Sequence, residues 1–480
     1  MKTERLSLLA DFYEFTMGNA YFKNNMHRRN AYFDLFFRSV PDGGGFAVAA
    51  GLEQLIEYIE SLRFGKDEIE YLKNAGLFDA DFLRFLENFH FTGDIYAVTE
   101  GTPVFPNEPI ITVKAPIAEA QLIETFALLT INHQSLIATK ANRVVRAAKG
   151  KDVFELGSRR AQGASAAVNG ARAAYIGGVC GSSCTLSGML YGVPPTGTMA
   201  HSWVQMFPNE YEAFESYCKL YPNNTVLLVD TYNALKSGVP NAIKAFKNVL
   251  CPMGINSFAI RLDSGDISYL SKTARKMLDQ EGLEQCRIIA SNSLDEHIIS
   301  DLVAQGAEID AFGVGERLIT SKSSPVFGGV YKLVAVESEN GEIIPKIKIS
   351  ENVGKITNPH FKKLYRFYDK ESGKAVADQL CIYDEVIDEK KPVTIFDPNA
   401  VWKRKTITNY TAEQLLVPIF KNGVRVYDSP KLSDIKLNCK KQIDRLWDEV
   451  KRFENPHTYY VDLSEKLWRT KNELLEGAKY

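Results

Sequence analysis

The chain has 480 residues, 45% of them hydrophobic, and a formal charge of −2 from 57 basic and 59 acidic side chains. That length suggests about two to four domains. The near balance of charge excludes a whole-chain attraction to nucleic acid or to an anionic membrane, and leaves room for a local basic pocket that takes a phosphorylated ligand.

The N-terminal stretch MKTERLSLLADFYEF is too charged for a secretory leader, and no apolar run reaches the length that spans a membrane. Up to about residue 130 the pattern is mixed. GLEQLIEYIESLRF sets Leu52, Leu55, Ile56 and Ile59 at helical spacing, whereas FTGDIYAVTEGTPVFPNEPIITVKAP alternates between Gly and Pro punctuation as short antiparallel strands do. From about 131 short apolar runs recur: KDVFELGSRR, NTVLLVDTYN, SFAIRLDSGD, CRIIASNSLDE and IDAFGVGERL. Helical stretches such as AQGASAAVNGARAAYIGG and ISYLSKTARKMLDQEG separate them, which predicts parallel βα units. About five to seven such units close into a barrel or form an open sheet; the pattern fits both. After about 345 the chain is more charged and less regular, and it ends in the helix-like SDIKLNCKKQIDRLWDEVKRF and LSEKLWRTKNELLEGA. The expected division is therefore 1–130, 131–345 and 346–480, the last a C-terminal appendage.

Cysteine occurs seven times. The number is odd, no CxxC pair occurs, and nothing beside Cys180 and Cys184 completes a zinc spacing. Free thiols in a reducing, cytoplasmic compartment are expected, with no metal centre built from side chains alone.

Each predicted strand ends in polar groups. Glu155, Gly157, Ser158, Arg159 and Arg160 follow the first; Asp230 and Thr231 the next; Arg261, Asp263, Ser264, Gly265 and Asp266 a third. Ser291, Asn292 and Ser293 come after the fourth, and Gly313 and Gly315 close the last. In parallel α/β proteins the C-terminal strand ends face the ligand, so several such ends describe one active-site rim. Arginines hold oxyanions with a bidentate fork, glycines let backbone N–H groups approach phosphate, and the aspartates orient ribose hydroxyls or hold Mg²⁺ through water. Taken singly, each motif is weak: FGVGE is more often a turn, SRR a solvated helix start, RLDSGD an ordinary strand end. Neither a GxxxxGK[ST] loop nor a GxGxxG after a first strand is present. Together the residue types imply a phosphorylated sugar or a nucleotide.

LLADFYEFTMGNAYF, FELGSRRAQG, GTMAHSWV, LLVDTYNAL, IRLDSGD, FGVGERLITS with FGGVYKLV, and NPHTYYVDLSEKLW follow one another along nearly the whole chain. With these stretches the sequence resembles nicotinate phosphoribosyltransferases, of the type II phosphoribosyltransferase class. The resemblance implies an irregular α/β barrel with an N-terminal mixed α+β domain and a C-terminal appended domain. It implies formation of nicotinate mononucleotide and diphosphate from nicotinate and 5-phosphoribosyl 1-diphosphate. It further implies Mg²⁺, ATP as co-substrate through a phosphohistidine, and a homodimer with shared sites.

Residue by residue, Tyr13 resembles the aromatic that stacks on the pyridine ring from the neighbouring subunit, with Asp11 beside it. Arg159 resembles the arginine of the diphosphate region, and Arg160 is its neighbour. Thr198 and Arg261 resemble nicotinate contacts, with Arg261 and Asp263 also serving diphosphate and ribose. Gly313 and Gly315 resemble the 5′-phosphate loop. His201, with Ser202 next to it, matches the histidine that is phosphorylated, and Asp230 is the expected carboxylate on its other ring nitrogen. Glu316 stands where relatives often carry Thr, and Leu156 where nicotinamide-using relatives carry a stacking Phe. Those relatives also have an acid where this chain has Gly181-Ser182-Ser183; the neutral Ser183 hydroxyl, near Arg261, favours a carboxylate-bearing base.

Three other readings compete. A nicotinamide-using enzyme is opposed by Ser183. A non-catalytic binder of phosphoribosyl diphosphate or nucleotide is opposed by His201, Asp230, Arg261 and Asp263 all being intact. A barrel aldolase or isomerase needs a Schiff-base lysine, for which Lys140 is the nearest candidate. The other histidines, His27, His90, His133, His297, His360 and His457, have no supporting cluster, and His133 reads as a packed residue on a helix.

Overall fold

The computed structural model describes residues 6–477, and the side chain of Val353 is not described. The first five residues of the charged N-terminal stretch lie outside the described residues. The chain divides into two compact units, residues 1–136 with 326–480, and residues 137–325.

In the first unit a seven-stranded antiparallel sheet runs in the order Ile343–Pro345, Val330–Glu337, Asn30–Phe36, Ile111–Pro116, Asp94–Val98, Leu416–Lys421, Val424–Arg425. The antiparallel expectation for residues 91–116 holds in Asp94–Val98 and Ile111–Pro116, and the expected helix is Leu52–Ser61. Strand Leu416–Lys421 comes from the C-terminal third yet pairs with Asp94–Val98. A second sheet orders Tyr410–Gln414, Lys362–Asp369, Ala375–Ile382 and Val461–Leu463. Its buried Arg366 forks onto Asp378 at 2.6–3.1 Å, a bidentate pairing that meets the charge burial would otherwise leave costly.

The second unit is built on a parallel half-barrel sheet of six strands: Asp152–Glu155, Gly181–Ser182, Thr225–Leu228, Phe258–Leu262, Arg287–Ala290 and Ala311–Val314. Numbered along the chain, their spatial order is second, first, sixth, fifth, fourth, third. The order is cyclic and open only between the second and third strands. Five of the six are the apolar runs picked out in the sequence. The second, Gly181–Ser182, has only two residues and no apolar run to betray it.

Helices cross over between strands because parallel neighbours need a long return connection. Their starts are set by side-chain caps. Asp266 accepts from the Tyr269 amide at 2.9 Å, and Asp295 from those of His297 and Ile298 at 3.1 and 2.9 Å. Each such cap is worth about 1 kcal/mol. After the third strand, residues 234–250 wind as π, α and π turns in succession. Gly238 is required there: a Cβ would come within 1.7 Å of the Val229 carbonyl, so only glycine lets this turn close on the strand end that carries Asp230.

Lys140 is buried at 2% exposure, with Nζ 2.8 Å from Glu296 Oε2 and 2.8 Å from Ser323 Oγ, and Arg143 Nε lies 2.7 Å from the same glutamate. It is a structural ion pair, not an accessible amine for a Schiff base. Glu296→Ala would leave both cations buried without their carboxylate. The expected loss is about 3–5 kcal/mol, read as a lower thermal midpoint, with Glu296→Gln intermediate.

Candidate active site

The polar strand ends of the second unit do converge. Arg261 is the centre. Its Nε donates to Ser291 Oγ at 2.8 Å, Nη1 to Thr198 Oγ1 at 3.0 Å and Nη2 to Asp263 Oδ1 at 3.0 Å. Ser291 Oγ also reaches Asp263 Oδ1 at 2.5 Å. Asn292 and Ser293 follow in left-handed backbone, φ 88° and 49°, which turns the chain sharply after Ser291.

His201 opens the short helix His201–Gln205. Nδ1 lies 3.1 Å from Thr231 Oγ1, and Nε2 lies 3.9 Å from Asp263 Oδ2. The carboxylate nearest the ring is thus Asp263. Asp230, expected in that role, instead takes the Asp263 amide at 3.0 Å and the Ser264 hydroxyl at 2.5 Å on Oδ2. One residue farther along, in the bend after the strand, Thr231 meets the imidazole. The Asp230 Oδ1 atom is buried and has no protein partner. Asp266 is used as a helix cap. Ser202 is exposed beside His201.

At the first strand end, Glu155 is fully buried with no cation on it. Its Oε2 accepts from Ser182 Oγ at 2.5 Å, and its Oε1 from the Gly157 amide. Burial raises its pKa and these bonds oppose the rise. One carboxyl therefore ties the turn bearing Arg159 and Arg160 to the loop bearing Ser183. A second link is Ser158 Oγ to Ser183 Oγ at 3.0 Å. Both arginines are exposed in the turn Ser158–Arg160. Glu316 is neutralised locally: Lys322 Nζ lies at 2.7 Å and Arg160 Nε at 3.9 Å, and the Lys322 hydrogen bond pulls its pKa down. Gly315 immediately precedes the four-residue helix Glu316–Ile319. Gly313 differs: it lies inside the sixth strand, and its missing Cβ leaves room for Leu156, whose Cδ1 would be 2.5 Å away.

Within the sheet is a cavity of about 170 Å³. Phe154, Leu156, Ile289 and Gly313 give it apolar walls, and Thr198 gives a hydroxyl. Arg261 and Arg287 also line it, and no carboxylate does. Arg287 is paired with Asp152 at 2.7 Å.

Tyr13 and Asp11 belong to the other unit. Asp11 precedes the helix Phe12–Lys23 and its amide donates to Thr125 Oγ1 at 3.0 Å. Tyr13 is 42% exposed, so its ring is available to a partner. Burial, then the nearby Glu124, raises its pKa. Behind it Glu14 is buried, holding Thr125 Oγ1 at 2.5 Å, while its Oε2 has no partner. His133 lies in the helix Glu124–Ala147, and burial lowers its pKa. Among the described residues no group of three or more His, Cys, Asp or Glu side chains is placed to hold a metal, and no helix is long and apolar enough to cross a membrane.

Two residues of the constellation are visible in the sequence as strand-end polar groups but acquire a role only in the structure: Glu155 and Ser291. Their signal is burial, which residue order alone does not show. Thr231 and Ser264 likewise adjoin named acids.

Burial pushes Glu14 up to about 7 from 4.5, with Glu124 adding to the rise and the Thr125 hydrogen bond opposing it. Folding thus favours the protonated acid, and stability is lost as pH rises from about 4.5 through about 7. Thermal midpoints across pH 4–8 should fall with pH more steeply in wild type than in Glu14→Gln; parallel curves would contradict the assignment.

Three models of one family match the chain. That of the nicotinate phosphoribosyltransferase N-terminal domain covers residues 8–132, the family model itself covers 152–370, and the C-terminal domain model covers 361–471. The chain is 43% identical to the nicotinate phosphoribosyltransferase of Bacillus subtilis over 478 residues, covering 100% of this chain and 97% of the relative. It is 30% identical to the human nicotinate phosphoribosyltransferase over 529 residues, with 98% and 97% covered. The crystal structure of human nicotinic acid phosphoribosyltransferase superposes with a TM-score of 0.84 at 28% identity, covering 98% of this chain and 100% of that one.

Proposed function

Given that the chain belongs to the nicotinate phosphoribosyltransferase family, we propose that it joins nicotinate to 5-phosphoribosyl 1-diphosphate, giving nicotinate mononucleotide and diphosphate. We read the parallel half-barrel as an irregular α/β barrel, and the chain as working in three parts, 1–130, 131–345 and 346–480.

The observation that carries the reading is the cavity inside the sheet. At about 170 Å³ it is the size that takes one six-membered ring; an engineered cavity of about 150 Å³ binds benzene. Its wall offers arginine and no acid, which suits the charge of a pyridine carboxylate. Ser183, hydrogen-bonded to Ser158, adds a neutral hydroxyl where an acid would repel the carboxylate. This favours nicotinate over nicotinamide. Thr198 and Arg261 orient the ring, and Tyr13 stacks on it from a second subunit of a homodimer.

The ring nitrogen is already nucleophilic, so no general base is needed. It attacks the anomeric carbon as the C–O bond to diphosphate breaks, and the electron pair leaves with diphosphate. Positioning and stabilisation of the leaving charge are what the protein supplies. Arg159 and Arg160 are unburied cations beside the strand end and suit diphosphate. Gly315, with Gly313 beside Leu156, gives the backbone approach to the 5′-phosphate. Asp263 Oδ2 and the orphaned Asp230 Oδ1 are oxygen donors of the type that hold Mg²⁺ through water, and the ion would neutralise diphosphate charge there.

His201 is the proposed acceptor of a phosphoryl group from ATP. Thr231 occupies Nδ1, which leaves Nε2 as the nucleophile: an N–P bond forms, the bond from the γ-phosphorus to ADP breaks, and ADP departs. The added negative charge beside Asp263 would strengthen the pull on a cation at the diphosphate site.

The test is an assay of nicotinate plus phosphoribosyl diphosphate, with and without ATP. Wild type should form nicotinate mononucleotide without ATP and faster with it, and His201→Ala should lose only the ATP stimulation. No product in either condition would reject the reading, and acid-labile phosphate absent from His201 after ATP incubation would reject the phosphohistidine. Ser183→Asp should raise KM for nicotinate by about tenfold or more through like-charge repulsion, and unchanged nicotinate kinetics would remove Ser183 from the site.

A further inference from the structure

The unit of residues 6–136 and 326–477 holds a second, larger cavity, of about 1090 Å³, which the reaction proposed above does not use. Its floor is apolar, from the buried Leu380, Ile395 and Leu463. Asp462 stands in this floor, on strand Val461–Leu463, and is 4% exposed. Its carboxylate has no hydrogen bond and no ion pair with any described residue. The charge that acts on it is another acid, Asp397. Burial first, and Asp397 second, push it up to about 7.

Among the buried aspartates of this unit it stands apart. The other buried aspartates are compensated: Asp378 by Arg366 at 2.6 Å and Asp34 by Lys362 at 2.8 Å. Asp462 lines the cavity and takes no donor from the described residues, so its carboxylate is open to an occupant of the cavity.

The opposite character is found elsewhere on the same wall. Lys403, Arg404 and Lys405 line the cavity from the hairpin Val393–Asp397 and Ala400–Ile407, and Lys471 lines it from the helix Glu465–Glu476. Lys403 is 68% exposed on its side chain, with Asp397 at 3.9 Å, and Lys471 Nζ donates to Asn358 Oδ1 at 2.8 Å, so one carboxylate faces the four cations. The Trp468 ring also lines the cavity, held by its Nε1 bond to the Pro398 carbonyl at 3.2 Å. An occupant that meets all three donates a hydrogen bond to the acid, carries negative charge for the cations and offers a flat ring to the indole. A small inorganic anion lacks the donor and the ring; a metal ion gains two acids but meets four cations.

We infer that this cavity is a binding site for a nucleotide, its base or ribose donating to Asp462, its ring beside Trp468 and its phosphate on the basic hairpin. The site uses none of the residues assigned to phosphoribosyl transfer.

Calorimetric titration of the full chain with adenosine monophosphate tests this. Wild type should bind it. Asp462→Asn, and separately the double variant Lys403→Ala/Lys405→Ala, should each weaken binding by about tenfold or more, as expected for loss of a charged hydrogen bond. Formation of nicotinate mononucleotide should keep its kcat in both. Trp468→Phe should abolish the change in tryptophan fluorescence on binding. Asp462→Asn keeps the shape and removes a buried charge, so it should fold; if it does not, the double variant, which lies on the surface, tests the same site. Absence of binding at millimolar nucleotide, or binding that is unaltered by these substitutions and displaced by phosphoribosyl diphosphate, would overturn the inference. Binding is read without turnover, so failure of the proposed reaction would leave this result standing, and the converse.

Discussion

The guanidinium of Arg261 is the constraint on which the rim depends. Three hydrogen bonds tie it to Thr198, Asp263 and Ser291, which sit on three different stretches of chain. A lysine has no planar fork and cannot hold three such partners in one plane. Because Asp263 is fixed on one oxygen by this arginine and by Ser291, its other oxygen is left facing His201. The Asp263 amide in turn fixes Asp230. Geometry that looks like a cluster of independent polar residues is thus one connected network, and the guanidinium still has donors left for a ligand oxyanion.

Charge is sorted with equal care. The ring-sized cavity is lined by arginine and contains no carboxylate. Glu155, the acid buried at the first strand end, is held by a hydroxyl and an amide and so organises two loops. Glu316 is drawn off by Lys322 and Arg160.

Much of this was legible in the sequence, and the reasons for the exceptions are physical. Short apolar runs closed by polar residues identified five of the six parallel strands, since a strand buried on both faces must be apolar until it emerges. The two-residue strand Gly181–Ser182 escaped because it is too short to show a period. The strand order was out of reach, since each parallel run reads the same wherever it lies in the sheet. So was the pairing of Leu416–Lys421 with Asp94–Val98, a contact across more than three hundred residues that no local pattern encodes. At the site, residue types were readable and contacts were not. Asp230 and Thr231 are adjacent in sequence, and the course of the loop after the third strand decides which of them reaches His201. Asp462 looks ordinary in NPHTYYVDLSEKLW; only burial without a partner sets it apart.

The central claim is that the Arg261 network is where nicotinate and phosphoribosyl diphosphate react. Steady-state kinetics of Arg261→Gln, with the fold checked by circular dichroism, test it most directly. Loss of two or more powers of ten in kcat/KM for nicotinate, about 2.7 kcal/mol or more of transition-state stabilisation, is the expected result. A variant that folds and turns over nicotinate at the wild-type rate would contradict it.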